Sequence, residues 1–184
     1  MRYLCNNNGM FALFWSLLCL IALFCILYVL LRPMVHGAIY FPTDPRRVEL
    51  IMEILRPHAG QKVADIGSGD GRILIALAER GATAHGYEIN PILVWRSRRA
   101  IRARGLAGRA FVHWKDFWRV DLAGFDAVVV YGFPHLMQGL QEKLQKELRP
   151  GAAVVSCVYS FPSWAPAMKR DKIYFYERGQ KIEI

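Results

Sequence analysis

Cysteine is sparse and poorly placed for cross-linking. Only Cys5, Cys19, Cys25 and Cys157 occur, two of them inside an apolar run and none at metal-ligand spacing, which excludes a disulfide framework and a zinc site. Histidine is equally scattered: His36, His58, His85, His113 and His135 form no H-x-x-x-H pair, so no metal is expected. Acids are outnumbered, 15 Asp plus Glu against 24 Lys plus Arg, for a formal net charge of +9. That balance favours anionic partners such as lipid headgroups, nucleic acid or acidic protein surfaces, without choosing among them. No internal repeat or low-complexity segment interrupts the chain.

Charge is missing altogether from Phe11 to Leu31, FALFWSLLCLIALFCILYVLL. About 21 residues at 1.5 Å rise cross a hydrocarbon core of roughly 30 Å, so the run predicts a transmembrane helix. A signal peptide would have a shorter apolar region ending at a small-x-small site, and LRPMVHGAIY offers a poor one. A buried core helix would show an amphipathic stripe, and this run is apolar on every face. The expected organisation is an N-terminal tail over 1–10, a transmembrane helix over 11–32, a linker over 33–43 and one domain over 44–184. The C-terminal flank of the apolar run carries Arg32 and then Arg46 and Arg47, whereas the N-terminal flank has only Arg2 and the terminal amine. The asymmetry places the domain of this single-pass membrane protein on the cytoplasmic side, or on the matrix side in a mitochondrion.

In HGAIYFPTDP one Gly and two Pro mark a linker. Asp44 then caps a helix beginning at Pro45, with Val48, Ile51, Met52 and Leu55 on its buried face and Pro57 and Gly60 ending it. Beyond it, KVADI, TAHGYEI, RAFVHW, DAVVVYG and AAVVSCVYS read as strands, alternating with the helical GRILIALAER, PILVWRSRRAIRAR and HLMQGLQEKLQKELRP. Such alternation predicts a doubly wound α/β domain with a mostly parallel sheet. KIYFYE and QKIEI, separated by Arg178 and Gly179, predict a C-terminal antiparallel hairpin. Two connections, KDFWRVDLAG and FPSWAPAMKR, are too short for full crossover helices, so the domain is a trimmed version of its class. The expected topology resembles that of the Rossmann-like class I methyltransferase fold.

The segment VADIGSGDGR joins the first strand to the next helix through Gly67, Ser68, Gly69 and Gly71. Glycines permit a tight turn and close ligand approach, and are expected to leave N–H groups free at the helix start for a carboxylate or phosphate. A dinucleotide fingerprint needs a third small residue where Arg72 stands. Asp65, just before the loop, would repel a pyrophosphate but can receive the ammonium of a methionine moiety. These features favour S-adenosylmethionine over NAD. Glu88, ending the second strand, is positioned to accept both ribose hydroxyls. Asp116, after the third, can accept from an adenine amine, with Phe117 or Trp118 against the ring. Singly, each carboxylate also fits a turn cap or a solvated strand end; together, on consecutive strands, they describe a nucleoside site.

After the fourth strand the chain reads Tyr131-Gly132-Phe133-Pro134, without the Asn/Asp-Pro-Pro-aromatic motif of many methyltransferases acting on bases or glutamine. Tyr131 is the candidate catalytic residue, with Tyr40 or a backbone carbonyl as other groups able to orient an amine, and no catalytic base stands out. Tyr131 in the core of a Gly-Pro turn is the structural alternative. Arg96, Arg98, Arg99, Arg102, Arg104 and Arg109, with no acid among them, form a basic helix face suited to membrane lipid more than to nucleic acid. A solvated face explains the same run.

FPTDPRRVELIMEIL, VADIGSGDGRILIALAERGATAHGYEINPILV, WKDFWRVDLAGFDAVVVYGFPHLM and LQEKLQKELRPGAAVVS, taken in order, resemble the membrane-anchored seven-strand protein-lysine methyltransferases of the ATP synthase c-subunit and the adenine nucleotide translocase, with their prokaryotic relatives. The most distinctive pieces are Tyr40 to Thr43, Lys115 to Leu122 and Glu147 to Gly151. The resemblance implies methyl transfer from S-adenosylmethionine to lysines of a membrane protein, with Asp65, Gly67, Gly69, Glu88 and Asp116 at cofactor positions and Thr43 closing over the cofactor. A lipid or small amphipathic substrate, and a non-catalytic cofactor-binding scaffold, are the other readings.

Overall fold

The computed structural model describes residues 7–36, 42–132 and 134–179. They fall into two units, a helix and a domain. Helix α1 (Asn7–His36) is longer at both ends than the span expected from its missing charge. Its stretch Gly9–Tyr28 has a mean hydropathy of 2.7, with every side chain exposed. By length and composition it can cross a bilayer.

The domain opens with α2 (Pro45–Leu55), capped as its sequence requires: Asp44 Oδ1 accepts from the Arg46 N–H and Pro45 takes the first turn. Val48, Ile51, Met52 and Leu55 are its buried face. There follow β1 (Lys62–Ile66), α3 (Arg72–Glu79), β2 (Thr83–Glu88), α4 (Pro91–Ala103), β3 (Ala110–Trp114), β4 (Ala127–Val130), α5 (Pro134–Glu147), β5 (Ala153–Cys157), β6 (Met168–Arg170) and β7 (Ile173–Glu177). The seven strands form one sheet in the order β3-β2-β1-β4-β5-β7-β6, parallel from β3 to β5 and antiparallel from β5 through β7 to β6. Strand order reverses at β1, which pairs β2 on one side and β4 on the other. The crevice outside the strand ends there is where this architecture binds ligands.

Strands buried on both faces read as continuous apolar runs, and their alternation sorts the core into two layers. Val63, Val129 and Val155 pack under α2, α3 and α4. Ala64, Ile66, Val128, Val130 and Val154 pack against α5 on the other face.

The hairpin differs from expectation. QKIEI lies outside the described residues, and the partner of β7 is Met168–Arg170, the end of the segment read as a connection. Asp171 and Lys172, both with positive φ (45° and 59°), make the two-residue turn. All three β6 side chains are exposed, so no alternation marks this edge strand, and Asp-Lys is a weak turn signal.

Both short connections lack a helix, as expected, and substitute for it. In the segment before β6, Phe161 and Trp164 pack around fully buried Tyr176, with centroids 4.9 and 5.1 Å from its ring, and the Tyr176 hydroxyl accepts from the Phe161 N–H at 3.0 Å. Between β3 and β4 there is one 3-10 turn, Phe117–Arg119. This connection is tied to α5: Lys143 Nζ donates to the Val120 carbonyl at 2.7 Å, and Glu147 Oε2 accepts from the Leu122 N–H at 3.2 Å.

Where a helix would cover β2 and β3, aromatic rings stack instead. His85 lies 5.1 Å from Phe111 and 5.4 Å from His113, Tyr87 lies 5.1 Å from His113, and Nδ1 of His85 is 3.1 Å from Nε2 of His113. The sequence separates these histidines by 28 positions, and only strand register unites them. Burial, with help from Lys62 and His113, pushes His85 down to about 4, and burial with Arg98 and Lys115 lowers His113. Folded, both rings resist a proton that unfolded histidine accepts near pH 6.5, so the unfolded chain binds more protons between about 6.5 and 4. Stability is therefore expected to be full above 6.5 and to fall as pH drops through that window. His85→Phe/His113→Phe should flatten the fall, as read by melting temperature across pH 4 to 7.

Candidate functional site

β1 ends at Ile66, and the chain turns through Gly67, Gly69 and Gly71 with φ of 75°, 54° and 82°, a region that L side chains avoid. At Gly71 a side chain would also strike Ser97 of α4, which lies directly beneath.

The loop is drawn onto the end of β2. The Tyr87 carbonyl accepts from the N–H groups of Gly67 (3.0 Å) and Ser68 (3.2 Å), and Ser68 O accepts from Gly71 N (2.9 Å). Buried Glu88 accepts from Gly69 N through Oε2 at 3.0 Å and from Asn90 N through Oε1 at 2.7 Å. The expectation of free N–H groups is thus wrong for these four: carbonyl and carboxylate acceptors, most of them at the β2 end, consume them. Ser68 turns its side chain inward over Gly86, where an added Cβ would come 2.6 Å from Ser68 Oγ. Gly86 is a site-forming residue that sequence reasoning missed; a glycine inside a predicted strand was its signal.

Asp65 is buried beside the loop, and its Oδ2 has no hydrogen-bond partner among the described residues, nor has Ser68 Oγ. Burial, then the charges of Glu88 and Asp70, push the Asp65 carboxyl up to about 8. A buried polar atom left without a partner calls for an explanation, and two stand at this loop.

Arg72, the position that argued against a dinucleotide, pairs with Asp70 at 2.7 Å and donates to the Thr43 carbonyl at 2.6 Å. It ties the segment before α2 to the loop and leaves Thr43 buried next to it. Tyr40 and Phe41 of that segment, like Phe133, lie outside the described residues.

Asp116 follows β3, adjacent to Glu88 through the Lys115 N–H, which donates to the Glu88 carbonyl at 3.1 Å. Its Oδ1 accepts from Trp118 N, capping the 3-10 turn. Phe117 is half-buried, and Trp118 is tilted against it at 4.6 Å. Tyr131 continues β4 on the α2 side of the sheet, where the charge of Arg47 from α2 acts on its hydroxyl. Burial raises its hydroxyl, with Arg47 pulling the other way. Cys157, at the end of β5 and electrostatically coupled to Asp65 and Arg47, is pushed by burial to about 12 and is an inert thiol. Arg47 and Cys157 are further members of this crevice that sequence reasoning did not single out.

A Rossmann-like sheet with the β7 reversal, a glycine loop after β1 and a carboxylate ending β2 define the class I methyltransferase fold. Within that class, the chain belongs to the family described as the ANTKMT methyltransferase domain, which matches residues 65–168. It is 42% identical over 127 residues to the ATP synthase c-subunit lysine N-methyltransferase of Homo sapiens, covering 69% of this chain and 54% of that protein. It therefore spans about half the length of that relative. A protein-lysine N-methyltransferase of Saccharolobus islandicus is 33% identical over 129 residues, covering 69% of this chain and 80% of that one. Among solved structures, an RNA methyltransferase from Salinibacter ruber in complex with S-adenosyl-L-homocysteine superposes with a TM-score of 0.73 at 30% identity, covering 78% of this chain and 98% of that one.

Because Glu88 holds two backbone N–H groups, its removal should cost stability even without ligand. Glu88→Ala is expected to lose about 1–3 kcal/mol, the range for leaving buried polar groups unpaired. Urea denaturation of the ligand-free protein reads it, and an unchanged midpoint would mean the carboxylate is not structural.

Proposed function

We propose that this chain transfers methyl groups from S-adenosylmethionine to lysine side chains of a membrane protein, with α1 anchoring it in the bilayer. The observation that carries the reading is Asp65, a buried carboxyl with an unpartnered Oδ2 at the mouth of the glycine loop, in a chain of a methyltransferase family. The lysine N-methyltransferase names of its relatives and the S-adenosyl-L-homocysteine in its structural neighbour support substrate and cofactor.

The residues present fit the cofactor. Asp65 Oδ2 would take the ammonium, and Glu88, with two of about four acceptor positions used, retains capacity for both ribose hydroxyls. Asp116 and Phe117 would meet the adenine, while Gly67, Ser68 and Gly69 shape the floor and Thr43, held by Arg72, closes one side. S-adenosylmethionine, when bound, supplies a methyl group on a sulfonium already activated for displacement, so positioning and desolvation suffice. Tyr131 remains a protonated phenol at neutral pH, because burial raises it against the opposing pull of Arg47. It orients the incoming amine and does not act as a base; the lysine loses its proton before entering.

Anchoring raises the effective concentration of enzyme near embedded targets without requiring tight binding of each. The positive flank of the apolar run, Arg32, Arg46 and Arg47, supports a domain on the cytoplasmic side, or the matrix side in a mitochondrion.

Asp65 must ionise to receive an ammonium, yet in the free protein its pKa is about 8. Cofactor binding at pH 7 is therefore expected to release a proton, and affinity to rise from pH 6 toward 8, beyond which an α-ammonium itself deprotonates at about 8. Calorimetry in buffers of different ionisation enthalpy measures both, and pH-independent binding would remove Asp65 from the ammonium site.

Incubating membranes with methyl-labelled cofactor tests the substrate. Label is expected on protein lysines, and Tyr131→Phe should slow transfer by up to about 100-fold, the scale of a misplaced nucleophile, with cofactor affinity unchanged. Label following the lipid fraction would instead assign an amphipathic small molecule.

A further inference from the structure

The outer face of α4 and the adjoining edge strand β3 carry groups that neither the core nor the strand-end site uses. Trp95 and Trp114 are each 61% exposed and Ile92 52%, an unusual concentration of large apolar surface beside charge. Together with Pro91, Val94, Arg98, Arg99 and Arg102, the two tryptophans line a cleft of about 360 Å³. Arg96, Arg98, Arg99, Arg102, Arg104 and Arg109 are all exposed, and no acid interrupts residues 96–109. Arg104 reaches Glu79 at 3.8 Å, while Arg98 donates through two nitrogens to the Val112 carbonyl and thereby fixes the cleft wall to β3.

We infer that this face is a membrane-contact surface, with the cleft between Trp95 and Trp114 seating the phosphate headgroup of an anionic phospholipid. Tryptophan settles at the headgroup level because its ring is apolar and its N–H polar. In Trp114 that N–H already donates to the Ile89 carbonyl at 3.0 Å, so the apolar ring is what it offers outward. Arginines flanking such rings meet phosphate while their stems stay on apolar ground. Arg99 already stacks over the Trp95 ring, 5.7 Å from its centroid, and the apolar α1 of the same chain favours lipid over RNA as the occupant. The inference rests on α1 holding the chain at a bilayer, and is independent of methyl-transfer chemistry.

The test uses the full chain reconstituted in nanodiscs of brominated phosphatidylcholine, with or without brominated phosphatidylglycerol. Tryptophan emission is expected to be quenched more in the anionic discs. At least half of that difference should vanish in Trp95→Phe/Trp114→Phe and in Arg99→Glu/Arg102→Glu, all exposed positions whose folding is checked by circular dichroism. Equal quenching in both discs, or a difference that survives these substitutions, overturns the inference. So does binding of an RNA oligonucleotide that Arg99→Glu/Arg102→Glu abolishes while the lipid difference stays intact. Failure of the chain to enter discs at all would overturn the anchoring and this inference together, whereas quenching without methyl transfer would leave it standing and count only against the enzymatic reading.

Discussion

One buried carboxylate organises the ligand-binding end of the domain. Glu88 sits where β2 ends, and each of its oxygens holds a backbone N–H from a different element, Gly69 of the glycine loop and Asn90 at the start of α4. A carboxylate offers about four acceptor positions, so two bonds to the protein leave others for a ligand. The group that would read ribose hydroxyls is thus the group that stiffens the loop beneath them. Little ordering remains to be done on binding, which is the general advantage of a preorganised site. The inward-turned Ser68 over Gly86 and the Arg72 tie to Thr43 add to the same rigidity.

Asp65 works against this background of satisfied bonds. It lies in the same buried pocket as Glu88, and two neighbouring carboxylates cannot both ionise cheaply away from water. Glu88 accepts from two N–H donors, while Asp65 Oδ2 has none, and burial with the neighbouring charges holds the Asp65 carboxyl up at about 8, where an incoming cation would ionise it. Loop N–H groups consumed by Tyr87 and Glu88 cannot serve an anion. Within the loop, hydrogen bonding therefore works in the same direction as charge, toward the cationic ligand proposed for Asp65.

Legibility from the sequence followed the strength of local pattern. Helix α2 was readable to its cap and buried face, because Asp44-Pro45 and four apolar positions at helical spacing all agree. Strands β4 and β5 announced themselves as apolar runs, β1 and β2 as short segments bounded by helical stretches and glycine turns, and the glycine loop with Asp65 and Glu88 marked the crevice. Strand β6 carries three exposed side chains and no alternation, so nothing local distinguishes it from a loop. The bonding of the loop was misread because its acceptors, Tyr87 and Glu88, come from another strand. Arg47, Cys157 and the His85–His113 pair escaped for the same reason: their proximity is created by register and packing.

Trimming also follows a rule that the two faces of the sheet make plain. Alternation along the strands places Asp65, Glu88, Tyr131 and Cys157 on the side covered by α2, α3 and α4, and that side keeps its helices. Both shortened connections serve the other side, where Phe161, Trp164 and Tyr176 fill one gap and the stacked rings of β2 and β3 another. Helices that frame the ligand crevice cannot be lost without losing Arg47, the loop contacts of Ser97 and the start of α4 that Glu88 holds. On the opposite face α5 is kept and ties both connections down through Lys143, Glu147 and Gln141, while the burial that further helices would supply comes from aromatic side chains. The domain can be smaller than its class because what it dispenses with is coverage, and every group proposed to meet the cofactor or the incoming amine is kept.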